Sequence, residues 1–160
     1  MQSILSCRVV LLFLPAIVFI ASGFSMPTEK PSDSQSLQDL LPGLKSRLHI
    51  PQDVDVAVVP AEERMVAVHR VRQAQADDRF TIQIDQKFFD SLSSEGLDAA
   101  IAHELGHVWI YSHHPYLHTE ALANEIAMRV VSRESVKKLY LKLWAQLETT
   151  GDLNEVLGSD

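Results

Sequence analysis

The sequence predicts an α+β fold in which a small antiparallel sheet of three or four strands packs against several helices. Three stretches rich in Val and Ile, residues 54–59, 65–71 and 80–84, have the composition of strands, and the last two alternate apolar with polar residues. The connections between them are short, which favours hairpin pairing and therefore an antiparallel sheet. From Ser94 onward the apolar residues recur at helical spacing instead.

Leucines before the strands predict a packing helix. They form one stripe at helical spacing, which consists of Leu37, Leu40, Leu41, Leu44 and Leu48. Pro42 and Gly43 interrupt this stripe and indicate either a kink or a later start of the helix.

Three helices are expected after the strands. Ser94 is the expected N-cap of the first, and the second and third begin near Thr119 and Ser135. We interpret Tyr140 and Trp144 in the third helix as packing residues. The apolar stripe of this helix closes the core and consists of Val136, Leu139, Leu143 and Leu147.

The N-terminus has the layout of a secretory signal peptide. Arg8 precedes an apolar run at residues 9–21, and small residues follow. We therefore expect residues 1–25 to direct export, so that the protein is secreted or periplasmic. The run is shorter than the roughly 20 apolar residues of a membrane span and contains Pro15, although an uncleaved signal would act as an anchor.

The rest of the chain predicts one domain behind a short leader. Residues 26–36 are polar and rich in Pro and Ser, which is typical of a flexible leader, and residues 37–160 are enough for one domain, with a loose or weakly helical tail from residue 149. Cys7 is the only cysteine and lies in the signal, so the mature chain would form no disulfide. Loss of Arg8 changes the formal net charge from −7 to −8, which disfavours a nucleic-acid partner.

One helical motif indicates chemistry. His103, Glu104 and His107 form the pattern HExxH, in which the two histidines are four residues apart and present their rings to one point. Two imidazoles in this arrangement suit a tetrahedral zinc ion. Glu104 lies on the same strip of the helix, where it can accept a proton from an activated water.

Zinc needs a third ligand, and two residues are candidates. His113 follows His107 by six residues, about 240° around the helix axis, so it points away from the metal unless the chain turns. Metzincins make such a turn at a glycine, but Ile110 stands at that position here. Glu120, on the next helix, is the other candidate.

The segment at residues 120–124, Glu-Ala-Leu-Ala-Asn, strengthens the second candidate. An HExxH helix followed by a helix carrying Glu-x-x-Ala-Asn resembles the gluzincin metallopeptidases, particularly the compact minigluzincins, over residues 97–131. The resemblance implies a zincin-like fold and a Zn²⁺ ion held by His103, His107 and Glu120. It also implies that Asn124 orients a ligand histidine.

The expected function is zinc-dependent hydrolysis of peptide bonds, with Glu104 as general base and a peptide or protein as substrate. The alternative is a catalytically silent zinc-binding or interaction module on the same fold. We expect the strand at residues 80–85 to hold an extended substrate at the sheet edge. The donor that stabilises the oxyanion is left unassigned among the residues near the loop between the two ligand helices: Tyr111, His113, His114, Tyr116 and His118.

Overall fold

Three strands and six helices make up the part of the chain that the structure describes. The computed structural model describes residues 33–71 and 78–159, with side chains from residue 37 onward. In chain order the elements are α1 (Asp33–Leu48), β1 (Asp53–Val59), β2 (Val66–Val71), β3 (Arg79–Asp85), α2 (Gln86–Ser91), α3 (Ser94–His113), α4 (Glu120–Ala127), α5 (Arg133–Gln146) and α6 (Leu153–Leu157). The α+β prediction is confirmed, and each strand lies within one residue of its predicted bounds.

The three strands form a mixed sheet in the order β1-β3-β2. β2 pairs with β3 in antiparallel orientation, as expected, but β1 pairs with β3 in parallel, so the prediction of a fully antiparallel sheet is wrong for that pair. The physical reason lies in β3, whose Phe80, Ile82 and Ile84 are at most 1% exposed. The strand with the most deeply buried side chains takes the centre of the sheet, which places β1 and β2 on opposite sides of it.

Helix α1 packs the predicted leucine stripe into the core, where Leu37, Leu44 and Leu48 are buried. The helix begins at Asp33 and continues through Pro42, so of the two alternatives, a kink or a later start, the later start is excluded. It also includes the last residues of the predicted leader at 26–36. The predicted signal peptide and the rest of the leader lie outside the described residues.

Helix α3 is the central element and contacts α1, β2, β3, α4 and α5. Ser93, and not Ser94, is its N-cap, because the Ser93 backbone is extended and its hydroxyl accepts a hydrogen bond from the Gly96 amide at 3.2 Å. Two adjacent serines cannot be ranked as caps from sequence alone. The middle of α3, from Ala99 to Val108, is buried on all sides.

Helices α3 and α4 touch backbone to backbone. A Cβ added to Gly106 would overlap the carbonyl oxygen of Ala123, so only glycine fits at this crossing. Helix α4 begins where predicted, and Thr119 is its N-cap, since its hydroxyl accepts a hydrogen bond from the Leu122 amide at 3.2 Å. Together these two features fix where α4 begins relative to α3.

The C-terminal part of the chain closes the fold. Helix α5 begins at Arg133 behind the N-cap Ser132, slightly before the predicted start near Ser135. Helix α6 is short, and its buried Leu157 packs with Val136 and Tyr140. Within residues 33–71 and 78–159, the structure contains no helix that is long and apolar enough to span a membrane.

Candidate metal centre

Two ring nitrogens and a carboxylate converge where α3 and α4 cross. The Nε2 atoms of His103 and His107 are 3.1 Å apart. The carboxylate of Glu120 lies 3.2 Å from Nε2 of His103 through Oε2 and 3.6 Å from Nε2 of His107 through Oε1. The structure therefore brings together the three residues that the sequence singled out as a ligand set.

Helix geometry and one cap produce this convergence. The four-residue spacing stacks the two histidines on one face of α3, and Thr119 starts α4 so that Glu120 is its first residue. The contact between Gly106 and Ala123 holds the two helices at the separation that a carboxylate can bridge.

The donor set fits a tetrahedral ion. Ligand atoms about 2.0–2.1 Å from zinc at tetrahedral angles lie about 3.3 Å from one another. The two nitrogens are 3.1 Å apart, and they lie 3.2 and 3.6 Å from the two different oxygens of the Glu120 carboxylate, so these separations bracket that value. Two imidazole nitrogens with one carboxylate are also a ligand set that zinc uses.

The cluster opens into a cavity of about 490 Å³. His103 and His107 are 9% and 7% exposed, whereas the Glu120 side chain is 58% exposed, so the face of the cluster that carries Glu120 is accessible. Glu104 is 5% exposed and lines the same cavity. A substrate in the cavity would therefore meet the carboxylate of Glu104 beside the cluster.

Asn124 supports the cluster from α4. Its Oδ1 lies 2.7 Å from Nδ1 of His103. Its amide nitrogen donates hydrogen bonds to the hydroxyl of Tyr140 at 3.0 Å and to the carbonyl of Val156 at 2.8 Å. The Tyr140 hydroxyl in turn donates to Oε2 of Glu120 at 3.1 Å.

His118 has the equivalent position beside the second histidine. Its Nε2 lies 2.8 Å from Nδ1 of His107, and the two rings are stacked with centroids 4.7 Å apart. Each histidine of the cluster thus uses Nδ1 for a neighbouring side chain and turns Nε2 toward Glu120.

The electrostatics of the cluster follow from burial and close charges. Hydrogen bonds from His103 and His107 hold the pKa of Glu120 well below its usual range. Burial raises the pKa of Glu104, against the opposing effect of the two histidines. Burial disfavours the charged form of His103, but the hydrogen bond to Glu120 and the charge of Glu104 outweigh it and raise its pKa. Burial and the charge of His107 lower the pKa of His118.

His113 takes no part in the cluster. Helix α3 continues to this residue without a turn, and the His113 ring donates from Nδ1 to the Trp109 carbonyl at 2.9 Å and stacks on the Trp109 ring. The metzincin-like alternative is therefore not the arrangement found. Of the five residues considered for the oxyanion, Tyr111 and His118 line the cavity.

The sheet edge beside the cavity is not the predicted one. β3 is paired on both sides, which excludes residues 80–85 as a docking edge. β2 is an edge strand of the sheet, and its residues Val66, Ala67 and Val68 line the cavity together with Arg64. An edge strand next to the cavity is thus present, but it comes earlier in the sequence than expected.

Sequence reasoning missed three contributors to the cluster. From sequence alone Tyr140 is a packing residue, His118 has no assigned role, and Val156 falls in a tail expected to be loose or weakly helical, of which the structure shows the helical alternative. Tyr140 and His118 could have been suspected as polar aromatic residues near helices that carry ligands. The Val156 contribution is a backbone carbonyl, which leaves no signal in the sequence.

Comparisons with known proteins support the fold. No family model matches the sequence, and no curated protein matches it either. Among solved structures, the chain is similar to the crystal structure of the metallopeptidase zymogen of Pyrococcus abyssi abylysin, with a TM-score of 0.50 and 19% sequence identity over 72% of this chain and 99% of that chain. At this identity the likeness shows the fold alone, which is α+β and zincin-like.

Proposed function

We propose that this chain is a zinc-dependent peptidase of the gluzincin type, with His103, His107 and Glu120 as metal ligands. The observation that carries the proposal is the convergence of two Nε2 atoms, 3.1 Å apart, with one carboxylate whose two oxygens lie 3.2 and 3.6 Å from them, which are separations suited to a tetrahedral ion. The likeness to a metallopeptidase zymogen supports the same reading at the level of the fold.

The side chains around the cluster suit hydrolysis. A bound zinc ion would supply a Lewis acid that acidifies water and polarises the scissile carbonyl. Glu104 would accept the proton of the attacking water and deliver it to the leaving amine. Its buried position raises its pKa, which makes it a better proton acceptor than an ordinary surface carboxylate.

The substrate is a peptide or protein in extended conformation. Among the residues that the structure describes, no strand pairs with the outer edge of β2, so this edge offers backbone hydrogen bonds along the cavity, and Val66 and Val68 provide an apolar wall. This replaces the strand at residues 80–85 as the proposed docking edge. With a net charge of −7, the chain remains a poor partner for nucleic acid.

Export remains part of the proposal. The signal peptide at residues 1–25 would send the chain to the periplasm or the medium, where the enzyme would act without a stable membrane span once the signal is cleaved. Recovery of the chain from the medium or periplasm with residues 1–25 removed, as read by mass spectrometry, would support this. Retention of residues 1–25 in the membrane fraction would favour the anchored alternative.

The test separates metal binding from turnover. Purified protein is analysed for bound zinc and for cleavage of a peptide library, alongside the variants His103→Ala, Glu104→Gln and Glu120→Ala. We expect His103→Ala and Glu120→Ala to lose zinc, whereas Glu104→Gln retains zinc and loses cleavage. Glu125→Gln, an exposed carboxylate on the same helix as Glu120, is the matched control and should change neither.

Each outcome decides one statement. A wild-type chain that binds zinc but cleaves no peptide favours the catalytically silent module. A Glu104→Gln variant that still cleaves peptides excludes Glu104 as the base. Zinc binding that survives Glu120→Ala excludes the gluzincin ligand set.

A further inference from the structure

The amide of Asn124 is fully buried and has a hydrogen-bond partner on each side. The residue is 0% exposed, so water cannot compensate for a wrong orientation of its amide group. Its oxygen faces the His103 ring, and its nitrogen faces the Tyr140 hydroxyl and the Val156 carbonyl. An inverted amide would have the same shape, so only these partners decide the orientation.

The Val156 carbonyl determines the orientation of the Asn124 amide. A backbone carbonyl can only accept hydrogen bonds, so the atom 2.8 Å from it must be the amide nitrogen. The amide oxygen then lies 2.7 Å from Nδ1 of His103. Because an amide oxygen can only accept, Nδ1 of His103 must carry a hydrogen, and the lone pair of the neutral ring resides on Nε2.

We propose that helix α6 orients a ligand of the metal centre. Its Val156 carbonyl fixes the orientation of the Asn124 amide, and this amide sets the tautomer of His103 that presents Nε2 to a metal ion. This inference rests on the proposed function only for the identity of the ion. Val156 is a positioning residue that acts through its backbone, and α6 is the element that holds it in place.

The same amide also positions the carboxylate. Its nitrogen donates to the Tyr140 hydroxyl, which leaves the hydroxyl proton free for Oε2 of Glu120 at 3.1 Å. The orientation set at Val156 is therefore passed to two of the three donor residues, His103 through Asn124 and Glu120 through Tyr140.

Helix α6 is anchored well enough for this role. Leu157 is 7% exposed and packs with Val136 and Tyr140. The guanidinium of Arg133 donates to the Leu157 carbonyl at 2.7 Å. At the start of the helix, the Asp152 carboxylate caps it by accepting a hydrogen bond from the Asn154 amide at 2.8 Å.

This arrangement explains why residue 124 is Asn. An Asp would place a carboxylate oxygen against the Val156 carbonyl, and two acceptors at that distance repel each other. Where no carbonyl faces the side chain, Asp would support a histidine at least as well, because both of its oxygens accept. Asn is the residue that satisfies the ring and the carbonyl together.

The experiment compares zinc affinity in full-length variants by competition with a chelator. Leu157→Asp removes the apolar anchor of α6, and Asp152→Ala removes its cap and is the milder change. Each is made with Asn124 and with Asn124→Asp, and Glu155→Ala on the exposed side of α6 is the control. Circular dichroism establishes that each variant is folded.

We expect loosening of α6 to weaken zinc binding about 10- to 100-fold in the Asn124 chain. Asn124→Asp alone should also weaken it, whereas loosening of α6 in the Asn124→Asp chain should cause no further loss, because the opposing carbonyl is then removed. Equal losses with Asn and with Asp at position 124 would show that α6 acts only through general stability and would overturn the inference.

A second readout keeps the inference separate from the proposed function. The ¹⁵N chemical shifts of the His103 ring report its tautomer in the zinc-free Glu120→Ala chain, which lacks the carboxylate that faces Nε2, at a pH high enough to leave the ring neutral. We expect the Nδ1–H form in this background and a mixture of tautomers after Leu157→Asp is added. An Nε2–H form in the Glu120→Ala background would overturn the inference, whereas a wild-type chain that binds no zinc would overturn only the proposed function.

Discussion

Glu104 is a carboxyl group that the fold buries beside two histidines and a second carboxylate. Burial raises its pKa, so the native chain without zinc binds a proton at Glu104 more tightly than the unfolded chain does. At a pH above the ordinary pKa of a glutamate, the need to keep Glu104 ionised therefore destabilises the folded state. Proximity to a metal would offset this cost, which is typical of a residue kept for chemistry.

Replacement of this carboxyl should stabilise the zinc-free protein. We expect Glu104→Gln to raise the midpoint of thermal unfolding at pH 7, since the amide has no charge to desolvate. The gain should shrink as the pH falls through the raised pKa of Glu104 and should be gone below about 4, where Glu104 is protonated in both states. Differential scanning calorimetry with a chelator present measures this, and a lower midpoint at pH 7 would contradict it.

His118 is the other single residue whose contribution to metal binding can be measured. Its lowered pKa keeps the ring neutral near pH 7, so Nε2 can accept the hydrogen of His107 Nδ1 across the 2.8 Å contact. We expect His118→Ala to weaken zinc binding about 10- to 100-fold. His114→Ala, at an exposed position in the same loop, should leave binding unchanged, and equal effects of the two substitutions would argue for a general effect on the loop.

At the level of elements, the crossing of α3 and α4 sets the spacing of the ligands. The histidines come from one helix and the carboxylate from the other, so any change in the helix separation alters the triangle directly. Side chains usually separate packed helices, but here Gly106 meets the backbone of Ala123. The distance between ligands is thus determined by main-chain atoms, which adjust less than side chains.

A methyl group at this crossing should disrupt both stability and metal binding. We expect Gly106→Ala to cost about 1–3 kcal/mol of unfolding free energy because α3 and α4 must move apart. Zinc affinity should fall in parallel, as measured by chelator competition. Gly43→Ala is the matched control in α1, where a Cβ meets nothing within 4 Å, and it should stabilise the chain by up to about 1 kcal/mol. Unchanged zinc binding in Gly106→Ala would refute the backbone-contact argument.

The elements also show what sequence can and cannot reveal. The pairing of His103 with His107 was predictable because helix periodicity is local, and Thr119 was predictable as a cap for the same reason. Glu120 required the resemblance of a second motif, since no local rule connects two helices. The parallel pairing of β1 was not predictable from short connections, because the choice of the central strand depends on burial across the whole sheet.

For the molecule as a whole, bound zinc should contribute to folding stability. The three candidate ligands come from α3 and α4 and converge only in the folded chain, so an ion that binds them favours the native state. At a free zinc concentration about 100 times the dissociation constant, the gain is about 2.7 kcal/mol. We expect the unfolding midpoint to fall on addition of a chelator.

Variants make this test specific. The chelator effect should persist in Glu104→Gln, which retains all three ligands, and disappear in His103→Ala. Thermal scans with and without zinc measure both. A chelator effect of equal size in His103→Ala would place the stabilising ion somewhere other than this cluster.

The other features that could not be predicted from the sequence depend on the tertiary arrangement of the whole chain. Tyr140 and Val156 approach the cluster from α5 and α6, more than fifteen residues beyond Glu120 in the sequence. Their contacts depend on how the C-terminal helices return to α4, and no periodicity encodes that return. A residue that contributes through a main-chain atom, as Val156 does, cannot be predicted from its side-chain type.

The position of β3 in the sheet has a consequence for biosynthesis. In the described sheet both β1 and β2 hydrogen-bond to β3, and neither pairs with the other. On the ribosome, the first two strands therefore emerge without a template, and the sheet can assemble only after residues 79–85 have left the exit tunnel. Until then the nascent chain carries two strand segments with open edges, which makes this the interval in which a chaperone matters most.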